Sequence, residues 1–266
     1  MSRSFHPPIV LLTISLCLNP WLAFTQQDFS KVEIKVIPVA ENIYMLQGTG
    51  GNIGVSIGKD GILLVDTQFS ALSDKIKEAL KKISDGKVKY VLNTHWHSDH
   101  TNGNVNFGSE ALIIAHTNVR KRLATEQKIF NRVVKPLPKV GLPVITFHTS
   151  LSLYFNEEEI RMVHFANCHT DGDSVIFFTK SNVLHMGDLF FSGRFPFIDL
   201  ACGGDVENLT KTIESILQRL PSTVKIIPGH GPLSTREDLK TYHHMLLQTT
   251  DIVRQRIEQG KNLEEI

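Results

Sequence analysis

The densest chemistry in the chain lies in Thr94-His95-Trp96-His97-Ser98-Asp99-His100, where three imidazoles and one carboxylate fall within six positions. Neutral imidazole nitrogen and carboxylate oxygen are donors for ions such as zinc. The segment follows the apolar run Val88–Leu92, which reads as a strand. Along an extended backbone His95 and His97 point the same way and could grip one ion. Asp99 and His100 come one bend later and could reach a second. A solvated His-rich loop is the plain alternative, and residues further along argue against it. His169 stands in Cys168-His169-Thr170, Asp188 in Met186-Gly187-Asp188, and His230 in Gly229-His230-Gly231, each just after a strand-like run. Asp66 ends a fourth such run, Ile62–Asp66. Strand ends on one rim of a sheet are where loops assemble sites. The chemistry this set suits is metal-assisted hydrolysis, in which a water made acidic by zinc attacks at neutral pH.

The elements that must position these residues read as strands first: Val32–Val39, Ile43–Gln47, Ile53–Ile57 and Ile62–Asp66, punctuated by Gly48-Thr49-Gly50-Gly51 and Lys59-Asp60-Gly61. Ser70–Ile83 places Leu72, Ile76, Leu80 and Ile83 at helical spacing. Val88–Leu92 and Ala111–Ala115 read as strands, Asn93–Asn104 as a loop and Thr117–Ile129 as a helix. Pro136, Pro138, Gly141 and Pro143 mark a stiff connection. Strands resume at Ser150–Phe155, Ile160–Phe165, Val175–Thr179 and Val183–Met186. A helix at Val206–Leu220, a strand at Val224–Ile227 and a long helix at Arg236–Gln259 complete the chain. Two mixed sheets face to face with helices outside is one layered solution.

The 266 residues carry 28 Lys+Arg and 27 Asp+Glu, and this balance gives no general pull toward nucleic acid. The hydrophobic share of 41% suits a folded chain with a sizeable core. Arg3, the apolar run Ile9–Leu18 and Trp21-Leu22-Ala23-Phe24-Thr25 read as a secretory signal peptide over residues 1–25. The run is shorter than the about 20 residues needed to span a bilayer. Residues 26–266 would then be the mature domain, periplasmic or secreted, with no stable membrane span. Cys17 leaves with the leader, and an oxidising space would permit a bridge between Cys168 and Cys202. Of the 12 His, His6 lies in the leader. His116, His148, His164, His185, His243 and His244 have structural readings, His116 as a helix cap. Trp96 is expected to face the core and Asn52 to line the mouth of the site.

With these residues in place, the chain resembles the metallo-β-lactamase superfamily over roughly Asn42 to Pro232. The resemblance rests on His-x-His-x-Asp-His at 95–100, followed in order by His169, Asp188 and His230. It implies an α/β fold, a four-layer αββα sandwich, with a dinuclear metal site on one edge. By position it implies that His95, His97 and His169 hold a first Zn2+ and that Asp99, His100 and His230 hold a second. Asp188 would bridge the two, and manganese or iron would suit the same donors. Asp99 and Asp188 are the implied catalytic carboxylates, orienting a hydroxide between the ions. Asp66 and Thr94 would orient ligands from behind. Arg194 would contact a substrate anion or close its loop. One large lactamase group has a cysteine where this chain has Asp188, so the resemblance is to the Asp-bridged hydrolases, and lactamase activity is not implied. The expected activity is hydrolysis of a small carbonyl substrate such as a β-lactam, lactone, ester or amide. A glyoxalase II-like thioester hydrolase and a metal-binding module without turnover are the alternatives. Loops 48–52, 130–143 and 192–204 would line the mouth.

Overall fold

The computed structural model describes residues 28–129 and 132–266, so the leader read at 1–25, with His6 and Cys17, lies outside the described residues. The chain begins as an antiparallel meander of β1 (Lys35–Pro38), β2 (Ile43–Gln47), β3 (Ile53–Gly58) and β4 (Gly61–Val65). Helix α1 (Ser73–Lys81) crosses to β5 (Val88–Leu92), which runs parallel to β4. Two one-turn helices, α2 (Ser98–Thr101) and α3 (Asn104–Phe107), precede β6 (Leu112–His116), parallel to β5. Helix α4 (Thr117–Leu123) leads to a small hairpin, β7 (Gln127–Ile129) with β8 (Arg132–Val134). Strand β9 (Ile145–Phe147) completes a seven-stranded sheet in the order β1-β2-β3-β4-β5-β6-β9.

The second sheet is built from β10 (Ser150–Phe155), β11 (Glu158–His164), β12 (Ser174–Phe178) and β13 (Val183–His185), all antiparallel neighbours. Helix α5 (Val206–Arg219) then returns the chain to β14 (Lys225–Ile227), parallel to β13. Strand β15 (Ser234–Thr235) and helix α6 (Arg236–Glu258) follow.

Strand periodicity explains the layering. In β4, Leu63 and Val65 face the second sheet, where they join Met45, Leu92, Met162, Ile176 and Ile227 in one core. Ile62 and Leu64 face the other way, onto Leu72, Ile76 and Leu80 around α1. With both faces covered, β4 has no room for a polar side chain, and its sequence is Gly-Ile-Leu-Leu-Val. The outer face of the second sheet packs Val175, Leu184 and Ile226 against Leu209 and Ile213 of α5 and Leu239 and Leu246 of α6. Burying each such Leu or Ile contributes about 1.5–3 kcal/mol. The result is the αββα sandwich.

Four local readings are corrected. The first strand starts at Lys35 rather than Val32, because Lys75 Nζ binds the carbonyls of Phe29, Ser30 and Val32 and draws that stretch toward α1. The helix from Thr117 stops at Leu123, and Gln127–Ile129 pairs with Arg132–Val134 instead of continuing it. The segment 93–104 is not all loop, since α2 coils Ser98–Thr101. After the Pro-rich connection comes a further strand, β9, hydrogen-bonded to β6.

His116 caps α4 as expected, its Nδ1 accepting from the Asn118 N–H at 3.3 Å. Its Nε2 therefore donates to the His148 carbonyl at 3.1 Å, and its ring stacks on His164 with centroids 3.7 Å apart. Burial, then the His164 ring, push its pKa down to about 4. The unfolded chain binds this proton near pH 6.5 and the folded chain does not. The contribution of His116 is thus fully present above about pH 6.5 and is lost as pH falls toward 4. His116→Gln removes the titration. It is expected to lose less stability than the parent protein between pH 7 and pH 5 in urea unfolding with chelator present. An equal loss in both proteins would contradict this.

Candidate metal centre

The parallel strands β4, β5 and β6 bring their C-terminal ends to one rim of the first sheet, and β13 and β14 do so in the second. Asp66 follows β4 directly, and the 95–100 segment follows β5. Asp188 lies in the turn Gly187–Leu189 after β13, and His230 lies just after β14. His169 lies in the connection that leads from β11 into the start of β12. The rim gathers His95, His97, His169 and Asp188 into one group and Asp99, His100 and His230 into another, with donor atoms in each within 4.8 Å of one another. All seven expected ligand residues are therefore brought together.

Hydrogen-bond accounting fixes which ring nitrogens are bare. The Phe197 carbonyl can only accept, so His169 Nδ1–H donates to it at 2.7 Å and His169 Nε2 carries a lone pair. The Asp199 carboxylate accepts from His97 Nε2–H at 2.9 Å, which leaves His97 Nδ1 bare. Thr94 Oγ1 donates to Asp66 Oδ2 at 2.7 Å, so it accepts from His95 Nδ1–H at 3.0 Å and frees His95 Nε2. His97 Nδ1 lies 3.1 Å from His95 Nε2 and 2.8 Å from His169 Nε2. Three lone pairs at that spacing cannot satisfy one another, and a shared cation satisfies all three. In the second group, His100 Nδ1–H donates to Asp66 Oδ2 at 2.8 Å. His100 Nε2 then faces Asp188 Oδ1 at 3.1 Å, His230 Nε2 at 3.3 Å and Asp99 Oδ2 at 3.7 Å. Asp188 Oδ1 is buried without a hydrogen-bond partner, a costly state that an ion would relieve. The donor set fits two divalent ions.

The electrostatics agree with that fit. Burial lowers His95 well below the usual histidine range and takes His169 down to about 4, so both are neutral and ready to donate a lone pair. Burial alone would raise Asp188, but the imidazoles around it, His100 and then His230, hold it well below the ordinary carboxylate range. Burial opposes charge on His230 too, yet Asp188 and Asp99 raise it to about 9. This half of the site attracts positive charge. The Asp99 and His230 side chains are its most exposed members, at 28% and 16%, so the centre opens to solvent on their side.

The surroundings are built to hold the ligands still. Asp66 is fully buried with a left-handed φ of 66°, which Asp tolerates better than most residues. From there it binds Thr94 N, Thr94 Oγ1 and His100 Nδ1 together. Trp96 is buried with Val119 and Leu123, as expected. Asn52 does not line the mouth. It is buried, and its side-chain amide donates to the Pro228 and Gly231 carbonyls, bracing the turn that carries His230. Arg194 is exposed in a hollow beside Asp238 and Tyr242 and is not drawn into the cluster. Cys168 and Cys202 are free, buried thiols, each pushed up to about 12 by burial first.

Sequence reading missed Asp199, the Phe197 carbonyl and Asp173. Asp173 accepts from the His169 and Thr170 backbone N–H groups at 2.7 and 2.8 Å and so shapes the His169 turn. Its place in Thr170-Asp171-Gly172-Asp173 is a local turn signal that could have found it. Asp199 meets His97 across 102 residues, and no local spacing shows that.

A profile of the metallo-beta-lactamase superfamily matches residues 39–231. The metallo-beta-lactamase IND-1 of Chryseobacterium indologenes is 24% identical over 233 residues, covering 82% of this chain and 88% of that protein. An uncharacterized protein of Aquifex aeolicus is 29% identical over 163 residues, 60% of this chain and 74% of that one. Among solved structures, a metallo-beta-lactamase from Pontibacter korlensis superposes with a TM-score of 0.68 at 17% identity, covering 81% of this chain and 99% of that one. The DIM-1 metallo-beta-lactamase gives 0.67 at 21% identity over 82% of this chain and 100% of that one.

Proposed function

This chain belongs to the metallo-β-lactamase superfamily and is a metal-dependent hydrolase, and from that premise we propose an exported dinuclear enzyme acting on a small carbonyl substrate. His95, His97 and His169 would hold one ion, and Asp99, His100 and His230 the other, with Asp188 shared between them. Zinc suits these nitrogen and oxygen donors, as would manganese or iron. When bound, the pair supplies Lewis acidity and a water activated at neutral pH. The observation that carries this reading is the set of three bare nitrogens beside the unpartnered Asp188 Oδ1.

The chain's own residues do the remaining work. Asp66 and Thr94 hold His95 and His100 in the tautomers that present Nε2. Asp99, at the open edge, would orient the attacking water. Arg194, exposed and outside the cluster, is free to meet a substrate anion. Suitable substrates are a β-lactam, a lactone, or a small ester or amide. Residues 1–25 act as the leader of a mature domain spanning 26–266 that functions in the periplasm or outside the cell. Among the described residues no helix is long and apolar enough to cross a membrane. No observation favours thioester hydrolysis of the glyoxalase II kind or binding without turnover.

Metal analysis of the purified mature protein is expected to find about two ions per chain, with hydrolysis of at least one lactam, lactone or ester lost on chelation and restored by zinc. Full activity in metal-free protein would sink the proposal.

A further inference from the structure

The loop 192–204 grips two of the three histidines of the first group from behind, through the Phe197 carbonyl on His169 and the Asp199 carboxylate on His97. Its outer residues face solvent, with Phe195 68% and Leu200 76% exposed, while Asp199 dips inward and is only 4% exposed. Asp199 is itself tightly held. Its Oδ1 accepts from Cys202 N at 3.1 Å, its carbonyl accepts from Cys202 N at 3.0 Å and Gly204 N at 2.8 Å, and its N–H donates to the His169 carbonyl at 3.0 Å. Its Oδ2 accepts from His97 Nε2–H at 2.9 Å, and the Cys202 thiol also hydrogen-bonds the carboxylate. We propose that Asp199 is a positioning residue for the first metal, acting through His97 by holding the proton on Nε2 so that Nδ1 faces the ion. This rests on the metal-centre reading above.

The tautomer is the substance of the proposal. An imidazole free of Asp199 can carry its proton on either nitrogen, and a proton on Nδ1 blocks the donor. A carboxylate on Nε2 also raises the basicity of the ligating nitrogen, and loss of such a partner typically weakens metal binding by about 10–100-fold. Asp199→Asn separates position from chemistry. The amide oxygen is retained by Cys202 N, so the NH2 turns toward His97 Nε2 and donates to it. That favours Nδ1–H, the wrong tautomer for an ion on Nδ1.

The experiment reads the His97 tautomer directly by 15N NMR in metal-free protein. It then measures zinc affinity by chelator competition, with His230→Ala as background so that only the first site is counted. The expected result is Nε2–H in the parent and Nδ1–H in Asp199→Asn, with zinc held about 10–100-fold more weakly by the variant. An unchanged tautomer or an unchanged affinity in Asp199→Asn would overturn the proposal. If that variant does not fold, the parent alone decides, since finding His97 as Nδ1–H there overturns it equally. Protein that binds no ion at all would overturn the metal-centre reading instead, while the tautomer measurement would still judge Asp199.

Discussion

Asp188→Asn is expected to lower turnover by more than about 100-fold, the upper range for losing a mere outer partner of a ligand. Bound metal should fall from about two ions per chain to about one. Asp188 oxygens lie 3.1 Å from His100 Nε2, 3.3 Å from His169 Nε2, 3.5 Å from His230 Nε2 and 3.7 Å from His95 Nε2. Among the described residues no other carboxylate pairs with histidines of both donor groups. Asparagine keeps the shape but removes the negative charge, and its NH2 would hydrogen-bond a nitrogen that the ion needs. The neighbourhood leaves no alternative placement, because a Cβ on Gly229 would sit 2.0 Å from Asp188 Oδ1 and only glycine lets the carboxylate stand there. Metal content by elemental analysis together with kcat checks this. Wild-type values for both would show that Asp188 does not join the two ions.

The second large effect comes from a residue with no side chain. Gly51→Ala is expected to weaken the second site by at least about 10-fold and to cost about 1–3 kcal/mol of stability through overpacking. A Cβ there would lie 2.1–2.5 Å from His100 Cε1, Nε2 and Nδ1. The ring has nowhere to go. It is completely buried, and Asp66 holds its other nitrogen at 2.8 Å. The hairpin cannot retreat freely either, since Gly51 N donates to the Asp99 carbonyl and Gln68 Nε2 donates to the Gly51 carbonyl. One of these contacts must break, and where the ring gives way His100 Nε2 is displaced. Thermal unfolding and a zinc titration in parallel would measure both consequences. A variant with the parent's melting temperature and stoichiometry would show that the hairpin yields at little cost.

Much of the centre could be read from the chain because its local chemistry is concentrated. His95 to His100 sit on one strand end and one turn, so alternation and the following bend bring their donors forward. The layers were legible for the same reason, as apolar runs such as Ile62–Val65 need both faces covered. What escaped was set by tertiary contact. Gly48–Gly51 reads as a turn, yet Gly51 is needed for its approach to His100 rather than for its φ. The helical pattern from Thr117 gives no sign of stopping at Leu123, because Gln127–Ile129 becomes a strand only by pairing with Arg132–Val134. Asn52 looks like a mouth residue until its amide is seen spanning to Pro228 and Gly231.

The division of the donors between the two sheets has a consequence in time. His100 and His230 face one another at 3.3 Å but are 130 residues apart in the chain. The first sheet can form its meander from nearby segments, whereas the second donor group waits for β14 to dock beside β13. Long-range pairing of this kind is late and slow in folding. A chain stalled before that step would display Asp99 and His100 without His230, the partner that completes the second group. Occupancy of the whole centre would therefore certify that the last parallel strand is in place, and bound ions would select finished molecules over near-finished ones.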